Sequence, residues 1–353
     1  MNYTKLAGLG LTALKNNFAR LDRPYKLTFS ITYSCQSRCL TCNIWKMRPT
    51  GELDLREIQA FARKNDYFRW IEITGGEPFL RSDIVDIVKA FAESSKSLYV
   101  LTMPTNSLCN TDSVARRIEE ILAIGIPKVS ITISLDGYRE LHDRIRGIPG
   151  NFDKAMAMAR RLKELQSRYP NLFFVFGYTM SKFNQGMLEK TISAVKDELP
   201  WAGPDNFHVN VGQMSDIYYA NKELDLRPDK DIASGEISWL VRNRGVHIGT
   251  IPIIEKAFLK KLIDYVKTGK SPMKGKSMDA SLFMDSYGNV YPSIMWGRKV
   301  GSIRDTGYDL APIWKGPDAE GVRKLISEGK EPSAWTACEA YQSIVGNIGS
   351  MII

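Results

Sequence analysis

Apolar and polar residues alternate along several short segments of this chain, and each segment is followed by a stretch with helical spacing. Residues 27–33 alternate strictly and predict a first β-strand. Five further strands are predicted at 70–74, 98–103, 129–135, 172–178 and 207–211. Apolar residues recur every three or four positions between them, which predicts helices such as 112–123 and 151–168. Six strand–helix units of this length predict an α/β fold with a parallel sheet.

The first 23 residues are predicted to form a helix that precedes this repeat and ends at Pro24. Docking on the body of the protein is the expected role of its apolar face. That face is assigned to Leu6, Leu9, Leu11, Leu14 and Phe18. Weak association with a membrane surface is the alternative, although only three basic residues accompany the apolar stripe.

The pattern changes after about residue 230. Helices are predicted near 236–244 and 254–265, and residues 281–291 predict a β-hairpin with Gly288 and Asn289 at its turn. The sequence therefore predicts an N-terminal helix over 1–25, a main α/β domain over 26–230 and a small α+β domain over 231–353.

Three of the five cysteines, Cys35, Cys39 and Cys42, lie directly after the first predicted strand with C-x3-C-x2-C spacing. Thiolates this close together can bind one metal centre, and three ligands on a four-iron cubane leave one iron open. A structural zinc site is an alternative, but it usually takes four Cys or His ligands. The histidines at 142, 208 and 247 lie far away in sequence. Buried structural cysteines are the other alternative.

The next predicted strands also end in distinctive residues. The second runs into Gly75-Gly76-Glu77-Pro78, where two glycines allow close backbone approach and the proline fixes the exit. The third ends at Thr105-Asn106, and the fourth ends at Ser134-Leu135-Asp136-Gly137, with Arg146 soon after. Because catalytic groups of barrel-type α/β folds gather at the carboxyl ends of the strands, we expect these segments to meet there.

The combination of these motifs resembles the radical S-adenosylmethionine (SAM) superfamily, firmly over about residues 26–215. The resemblance implies an open (β/α)6 partial TIM barrel and one [4Fe-4S] cluster held by Cys35, Cys39 and Cys42. It also implies reductive cleavage of SAM to a 5′-deoxyadenosyl radical, which abstracts a hydrogen from the substrate, and an electron donor such as flavodoxin or ferredoxin. The residues that it places around SAM are Gly75, Gly76, Glu77, Pro78, Thr105, Asn106, Ser134, Asp136 and Arg146.

Residues 275–345 resemble, more loosely, the SPASM or twitch extension of these enzymes. Such extensions bind a second four-iron cluster through several cysteines, but this chain has Ser293 and Ala334 where thiolates are expected and retains only Cys338. One thiolate is too few for such a cluster, so we expect a twitch-like domain without it. Natural loss in this lineage and engineered replacement both remain open.

The amino-acid composition excludes few classes of function. The chain has 353 residues and a formal net charge of +9, spread along its length, which we interpret as a general solubility charge. No nucleic-acid partner or membrane-spanning segment is expected, and clustered cysteines without a disulfide pattern favour the cytoplasm. The expected substrate is a small molecule, a sugar, a lipid-linked compound or a peptide. A peptide-modifying maturase and a non-catalytic metal-binding module are the alternatives.

Overall fold

The computed structural model of the chain describes residues 2–245 and 249–348, so His247 lies outside the described residues. Within this part of the chain, nine strands form one sheet in the order β6-β5-β4-β3-β2-β1-β7-β8-β9. They are β1 Lys26–Thr32, β2 Trp70–Gly75, β3 Val100–Thr105, β4 Lys128–Ser134, β5 Leu172–Met180, β6 Phe207–Val211, β7 Ser281–Met284, β8 Asn289–Tyr291 and β9 Gly301–Ser302.

Twelve α-helices are present in the same described part, and those between the first six strands cover the outer face of the sheet. They are α1 Tyr3–Phe18, α2 Leu55–Lys64, α3 Ile84–Ser94, α4 Thr111–Ala123, α5 Arg139–Arg146, α6 Asn151–Arg168, α7 Leu188–Glu198, α8 Lys230–Asn243, α9 Thr250–Thr268, α10 Ala311–Trp314, α11 Pro317–Ser327 and α12 Ala337–Val345.

Strands β1 to β6 are parallel neighbours in chain order, which confirms the predicted α/β fold with six strand–helix units. The outward-facing strand residues are apolar and fully buried against the helices; Ile71 and Ile73 on β2 are examples. The inward-facing positions of β2 to β5 remain partly accessible to solvent. The sheet therefore has a dry outer core and an open inner wall, consistent with a partial barrel.

The predicted hairpin extends the main sheet instead of forming a separate one. Strand β7 pairs in parallel with β1, with Lys26 opposite Ser281 and Phe29 opposite Met284. Strands β8 and β9 then continue the sheet in antiparallel pairs, and Gly288 takes a positive φ of 84° at the turn. The main α/β unit and the C-terminal segment thus share one sheet and one continuous apolar core.

The N-terminal helix is shorter than the 23 residues predicted. It ends at Phe18, because Ala19 is extended and residues Leu21 and Tyr25 turn inward to a small core with Ala280. Pro24 is therefore not what stops the helix.

The predicted docking face of α1 is right only in part: Leu6 and Leu9 are half-buried, and Leu9 packs against the small core. Leu11 and Phe18 are 66% and 85% exposed, whereas Ala13 and Asn16 are buried. The helix lies across the N-terminal ends of the strands, where Lys5 Nζ donates to the Leu98 carbonyl at 3.3 Å. The helix therefore docks through the side that carries Leu9, Ala13 and Asn16.

Among the described residues, no helix combines the length and the apolar character that crossing a membrane requires.

Candidate functional site

The loop after β1 carries the cysteine triplet at the carboxyl end of the sheet. The Arg38 N–H donates to the Arg146 carbonyl at 2.9 Å, and the Leu40 N–H donates to the Ile145 carbonyl at 2.8 Å. These two bonds tie the middle of the loop to the C-terminal end of α5. Backbone bonds between separate segments hold the loop in place without using any cysteine side chain.

Each of the three cysteine sulfurs faces a hydrogen-bond donor. Asn106 Nδ2 lies 3.7 Å from Cys35 Sγ, and Arg146 Nη1 lies 3.9 Å from Cys39 Sγ. The N–H of Ile44 donates to Cys42 Sγ at 3.5 Å. Donors directed at sulfur stabilise thiolates and tune a cluster that they hold. The donor set therefore fits three thiolate ligands.

The free Cys35 and Cys42 thiols are protonated at neutral pH. Burial raises the pKa of Cys35 to about 11 and that of Cys42 to about 12, and backbone N–H groups only partly oppose this. Metal binding at this loop must therefore displace protons.

Within the described ranges, no three His, Cys, Asp or Glu side chains are already gathered around the position of a single ion. A four-iron cubane presents separate iron corners to its ligands, so it needs a wider arrangement of thiolates than one zinc ion does. Three separately placed thiolates with hydrogen-bond donors beside them suit such a cluster.

The Gly75-Gly76 turn packs directly against the cysteine loop. The Gly76 N–H donates to the Thr32 carbonyl at 2.8 Å, and a Cβ added at Gly76 would lie 2.1 Å from the Ser34 carbonyl oxygen. Gly75 has a φ of 141°, a backbone angle that residues with a side chain rarely adopt. The sequence suggested close approach to a ligand as the reason for these glycines, whereas here they approach the backbone that leads into Cys35.

Glu77 joins the turn to the end of β3. Its side chain is buried, and its carboxylate accepts from the N–H groups of Asn106 at 2.7 Å and Phe79 at 3.2 Å. Burial raises the pKa of Glu77 to about 7, while these two donors oppose the rise. Pro78 is buried beside it and begins a short 3-10 turn.

The chain turns sharply at the end of β3. Ser107, which follows Asn106, has a left-handed φ of 62°. The Thr105 hydroxyl accepts from the Ser107 N–H at 3.1 Å, and the Asn106 side chain points to the cysteine loop. Thr105 and Asn106 therefore lie beside Glu77 and Cys35.

The end of β4 holds Arg146 in place through Asp136. Asp136 Oδ2 lies 2.7 Å from Arg146 Nε, and Asp136 Oδ1 accepts from the Thr179 N–H at 3.0 Å. Burial would lower the pKa of Arg146, but Asp136 and the nearby Cys39 raise it. Asp136 is 1% exposed and uses both carboxylate oxygens within the protein. Its observed role is to orient Arg146, which reaches Cys39.

Below this rim, the inner wall of the sheet is rich in hydroxyl groups that are partly accessible. Ser134 lies at the rim and belongs to this wall. Its other accessible members are Thr102, Ser130, Thr132 and Thr179. Gly177 lies opposite Ser134 in the register of β4 and β5, which keeps the upper wall shallow. The wall can form many hydrogen bonds with a polar molecule.

A buried charged group lies lower on the inner wall. Lys26 Nζ pairs with Glu72 Oε2 at 3.0 Å and lies 4.3 Å from the Trp70 ring centroid. The Cys338 thiol donates to Glu72 Oε1 at 3.0 Å. Burial would raise the pKa of Glu72, but Lys26 and Cys338 hold it below its ordinary value. The single remaining C-terminal cysteine is thus engaged by a carboxylate from β2.

The two positions where the resemblance suggested cluster thiolates lie on one cavity. Ser293 and Ala334 both line a space of about 40 Å³, together with Trp296 and Trp335. Cys338 is not among its lining residues and bonds to Glu72 instead.

Several residues that position the site carried no recognisable signal in the sequence. Glu52 accepts from the Tyr33 N–H at 2.6 Å and so fixes the start of the cysteine loop. Asn151 donates to the Asn106 carbonyl at 2.9 Å, and Asn184 donates to the Asp136 carbonyl at 2.9 Å. The Tyr219 carbonyl accepts from the Asn43 N–H at 2.9 Å. These are contacts between distant segments, which spacing alone does not predict.

A cysteine loop, a Gly-Gly turn and a carboxylate–arginine pair at the carboxyl ends of the parallel strands β1 to β4 define a cofactor-binding α/β protein. Its sequence matches the model of the Radical SAM superfamily over residues 29–195. Radical SAM proteins use a [4Fe-4S] cluster together with SAM.

Curated relatives share this segment at low identity. The chain is 22% identical to the Pre-heme d1 synthase of Dinoroseobacter shibae over 82% of this chain and 73% of that protein. It is 26% identical to the AdoMet-dependent heme synthase of Methanosarcina barkeri over 51% of this chain and 49% of the relative. It is 31% identical to the Mycofactocin maturase MftC of Mycobacterium tuberculosis over 40% of this chain and 35% of the relative. The last two matches thus span half or less of those proteins.

Solved structures share the fold. The AdoMet-bound anSMEcpe structure superposes with a TM-score of 0.59 at 14% identity, covering 94% of this chain and 98% of that one. Streptococcus suis SuiB bound to S-adenosylmethionine superposes with a TM-score of 0.58 at 15% identity, covering 90% and 72% of the two chains. Because 90% or more of the chain is covered, the likeness extends beyond the residues that match the family model.

Proposed function

We propose that this chain is a radical SAM enzyme whose Cys35, Cys39 and Cys42 hold one [4Fe-4S] cluster. The observation that carries the proposal is the cysteine loop itself, in which every sulfur faces a donor and the backbone is tied to α5. When bound, the cluster and SAM supply a 5′-deoxyadenosyl radical that removes a hydrogen from the substrate.

The protein supplies position and charge around this chemistry. Arg146 is a fixed cation beside Cys39, suited to pairing with the carboxylate of SAM. Gly75 to Pro78, Thr105, Asn106 and Ser134 form the adjoining rim on which we place the rest of SAM. Asp136 acts through Arg146, because both of its oxygens are already bonded within the protein.

We place the substrate against the hydroxyl-bearing inner wall below the rim. Its accessible Ser and Thr side chains suit a molecule with several hydrogen-bonding groups, such as a sugar, a peptide or a small polar metabolite. The names of the relatives include heme synthases and a mycofactocin maturase, so heme precursors and peptides both belong in the first assays. Residues 231–353 are proposed as a twitch-like extension without a second cluster, following a main domain over 26–230 and an N-terminal helix over 1–25.

An external protein is proposed to deliver the electron. The exposed surface of the cysteine loop carries Arg38, Lys46 and Arg48, and residues 33–51 contain no Asp or Glu. A basic surface beside the cluster suits an acidic one-electron donor of the flavodoxin or ferredoxin kind.

Anaerobic reconstitution tests the proposal. We expect about four irons per chain, a cluster spectrum that changes on SAM addition and formation of 5′-deoxyadenosine under reducing conditions. Cys39→Ala should abolish all three, whereas the matched control Cys109→Ala should retain them. Zinc in place of iron, or iron without SAM cleavage, would favour a non-catalytic metal-binding module.

A further inference from the structure

The N-terminal helix α1 exposes an apolar stripe on the side opposite its docked face. Of the ten large apolar side chains that are exposed in the described residues, four belong to this one helix. They are Tyr3, Leu11, Leu14 and Phe18, with exposures of 72%, 66%, 43% and 85%. At 3.6 residues per turn they fall within an arc of about 80°. A contiguous apolar stripe of this kind marks an interaction surface.

The surroundings of the stripe are basic. The chain has no Asp or Glu before Asp22, while Lys15 is exposed on α1. Immediately after the helix, Arg20 lines a cleft of about 380 Å³. Four cations and two acids line that cleft: Arg20, Lys274, Arg323 and Lys324 against Asp279 and Glu320, with Arg20 and Arg323 both paired to Glu320.

The cleft and the stripe belong to one region of the surface. Lys276 Nζ donates to the Asn16 carbonyl at 2.9 Å, which joins the C-terminal half of α1 to the segment that carries Lys274. Ile348, which is 41% exposed, is attached to the same half of the helix through Asn17 Oδ1 at 2.8 Å. An apolar stripe thus lies next to a basic cleft.

We propose that α1 and this cleft dock the chain on an anionic lipid surface. Apolar side chains on one helix face insert at the boundary of headgroups and acyl chains, and neighbouring cations attract anionic headgroups. A second copy of this chain fits less well. A symmetric contact across the stripe would bring Lys15 and the basic cleft of both copies together, in a chain that already carries a net charge of +9.

The docking also has a defined orientation. Helix α1 lies across the N-terminal ends of the strands, whereas the cysteine loop, the Gly75-Gly76 turn and Arg146 lie at their carboxyl ends. A chain docked through α1 therefore keeps its candidate site at the far end from the lipid. The proposal concerns where the protein resides and is independent of the proposed function.

Vesicle binding by the full chain tests the proposal. The probes are vesicles of three parts phosphatidylcholine to one part phosphatidylglycerol, and vesicles of phosphatidylcholine alone. We expect co-sedimentation with the anionic vesicles, weakened by salt, and little binding to the neutral ones. The double change Leu11→Gln with Phe18→Gln should lower the affinity by about tenfold or more, because it removes two large apolar side chains from the stripe.

The matched control replaces two exposed aliphatic side chains elsewhere. Ile232→Gln with Ile253→Gln, on α8 and α9, should leave vesicle binding unchanged. Lys274→Gln with Lys324→Gln should reduce binding to anionic vesicles only. If the Leu11→Gln, Phe18→Gln variant melts at a lower temperature than wild type, the single change Leu11→Gln replaces it in the test. This variant should lose part of the affinity for anionic vesicles.

Two results would overturn the proposal. One is equal binding of wild type and the Leu11→Gln, Phe18→Gln variant, or no vesicle binding by either. The other is a wild-type dimer in sedimentation velocity that the same variant converts to a monomer, since the stripe would then belong to a second copy.

Discussion

Asp136 Oδ2 lies 2.7 Å from Arg146 Nε, and Arg146 Nη1 lies 3.9 Å from the Cys39 sulfur. The side chains are 1% and 14% exposed, so this ion pair is almost fully withdrawn from water. The carboxylate at the end of β4 thereby fixes the cation that reaches the cysteine loop. The resemblance placed both residues around SAM, and within the protein Asp136 binds Arg146 and the Thr179 N–H.

Asp136→Ala should lower the free energy of unfolding of the iron-free chain by about 3 kcal/mol, because it leaves Arg146 buried without its partner. Urea denaturation measures this. The matched control is Asp153→Ala, which breaks an exposed ion pair with Arg139 and should cost less than about 1 kcal/mol. Similar losses in the two variants would mean that the buried pair does not hold this region together.

Gly76→Ala should displace the cysteine loop. The added Cβ would lie 2.1 Å from the Ser34 carbonyl oxygen and 3.0 Å from Cys35 Cβ, distances that the backbone must relieve by moving. We expect iron retention after reconstitution to fall to background even where the chain remains folded. Iron and protein determinations on the same sample, with circular dichroism, measure both.

Gly235→Ala on α8 is the control for this change, since nothing lies within 4 Å of the Cβ that it adds. It should retain iron and stabilise the chain by about 0.5 to 1 kcal/mol, as Gly-to-Ala changes in helix interiors do. Full iron retention by Gly76→Ala would contradict the assigned contact.

The sequence was sufficient for the strands and for the residues at their ends. Strict alternation over 27–33 predicted β1, and parallel pairing of β1 to β4 then brings Cys35, Gly76, Asn106 and Asp136 to one edge of the sheet. The motif positions follow from local pattern, because strand ends in a parallel sheet converge whatever the loops between them do.

The rest depended on contacts between distant segments. Helix α1 has apolar residues on two sides, so periodicity alone could not tell that Ala13 docks and Phe18 does not. The pairing of β7 with β1 joins segments about 250 residues apart, and the anchor Glu52 comes from an irregular loop. Packing and hydrogen-bond satisfaction decide such features, and neither leaves a periodic trace in the sequence.

The titration of Glu255 should make the free energy of unfolding depend on pH in the acid range. Burial alone would raise the pKa of Glu255, but His208 at 3.0 Å and Arg244 at 3.3 Å lower it from 4.5 to about 2. A carboxyl whose pKa is lowered by folding stabilises the protein above its unfolded pKa, and this contribution is lost as pH falls towards its folded pKa. Protonation of Glu255 should therefore lower the free energy of unfolding, relative to its value at pH 6, by about 1 kcal/mol at pH 4 and about 2 kcal/mol at pH 3.

Denaturation of wild type and Glu255→Gln across this pH range measures the effect. The variant should lack this part of the acid dependence, whereas Glu164→Gln, whose side chain is 60% exposed, should retain it. Parallel pH profiles for wild type and Glu255→Gln would show that the ion pairs at Glu255 do not contribute.

Cys338→Ala should leave iron content and SAM cleavage intact. Its thiol donates to Glu72 Oε1 at 3.0 Å, so the change removes one hydrogen bond and costs about 1 kcal/mol of stability. Ser293→Cys alone should not create a second cluster, because two thiolates are too few. The cavity at Ser293 and Ala334 is also only about 40 Å³, which is room for little more than a few water molecules.

Electron paramagnetic resonance of the reduced protein shows whether the chain holds one cluster or two. One cluster signal that changes wholly when SAM is added is expected for wild type and Cys338→Ala alike, and a second, SAM-insensitive signal that disappears in Cys338→Ala would return an auxiliary cluster to this domain.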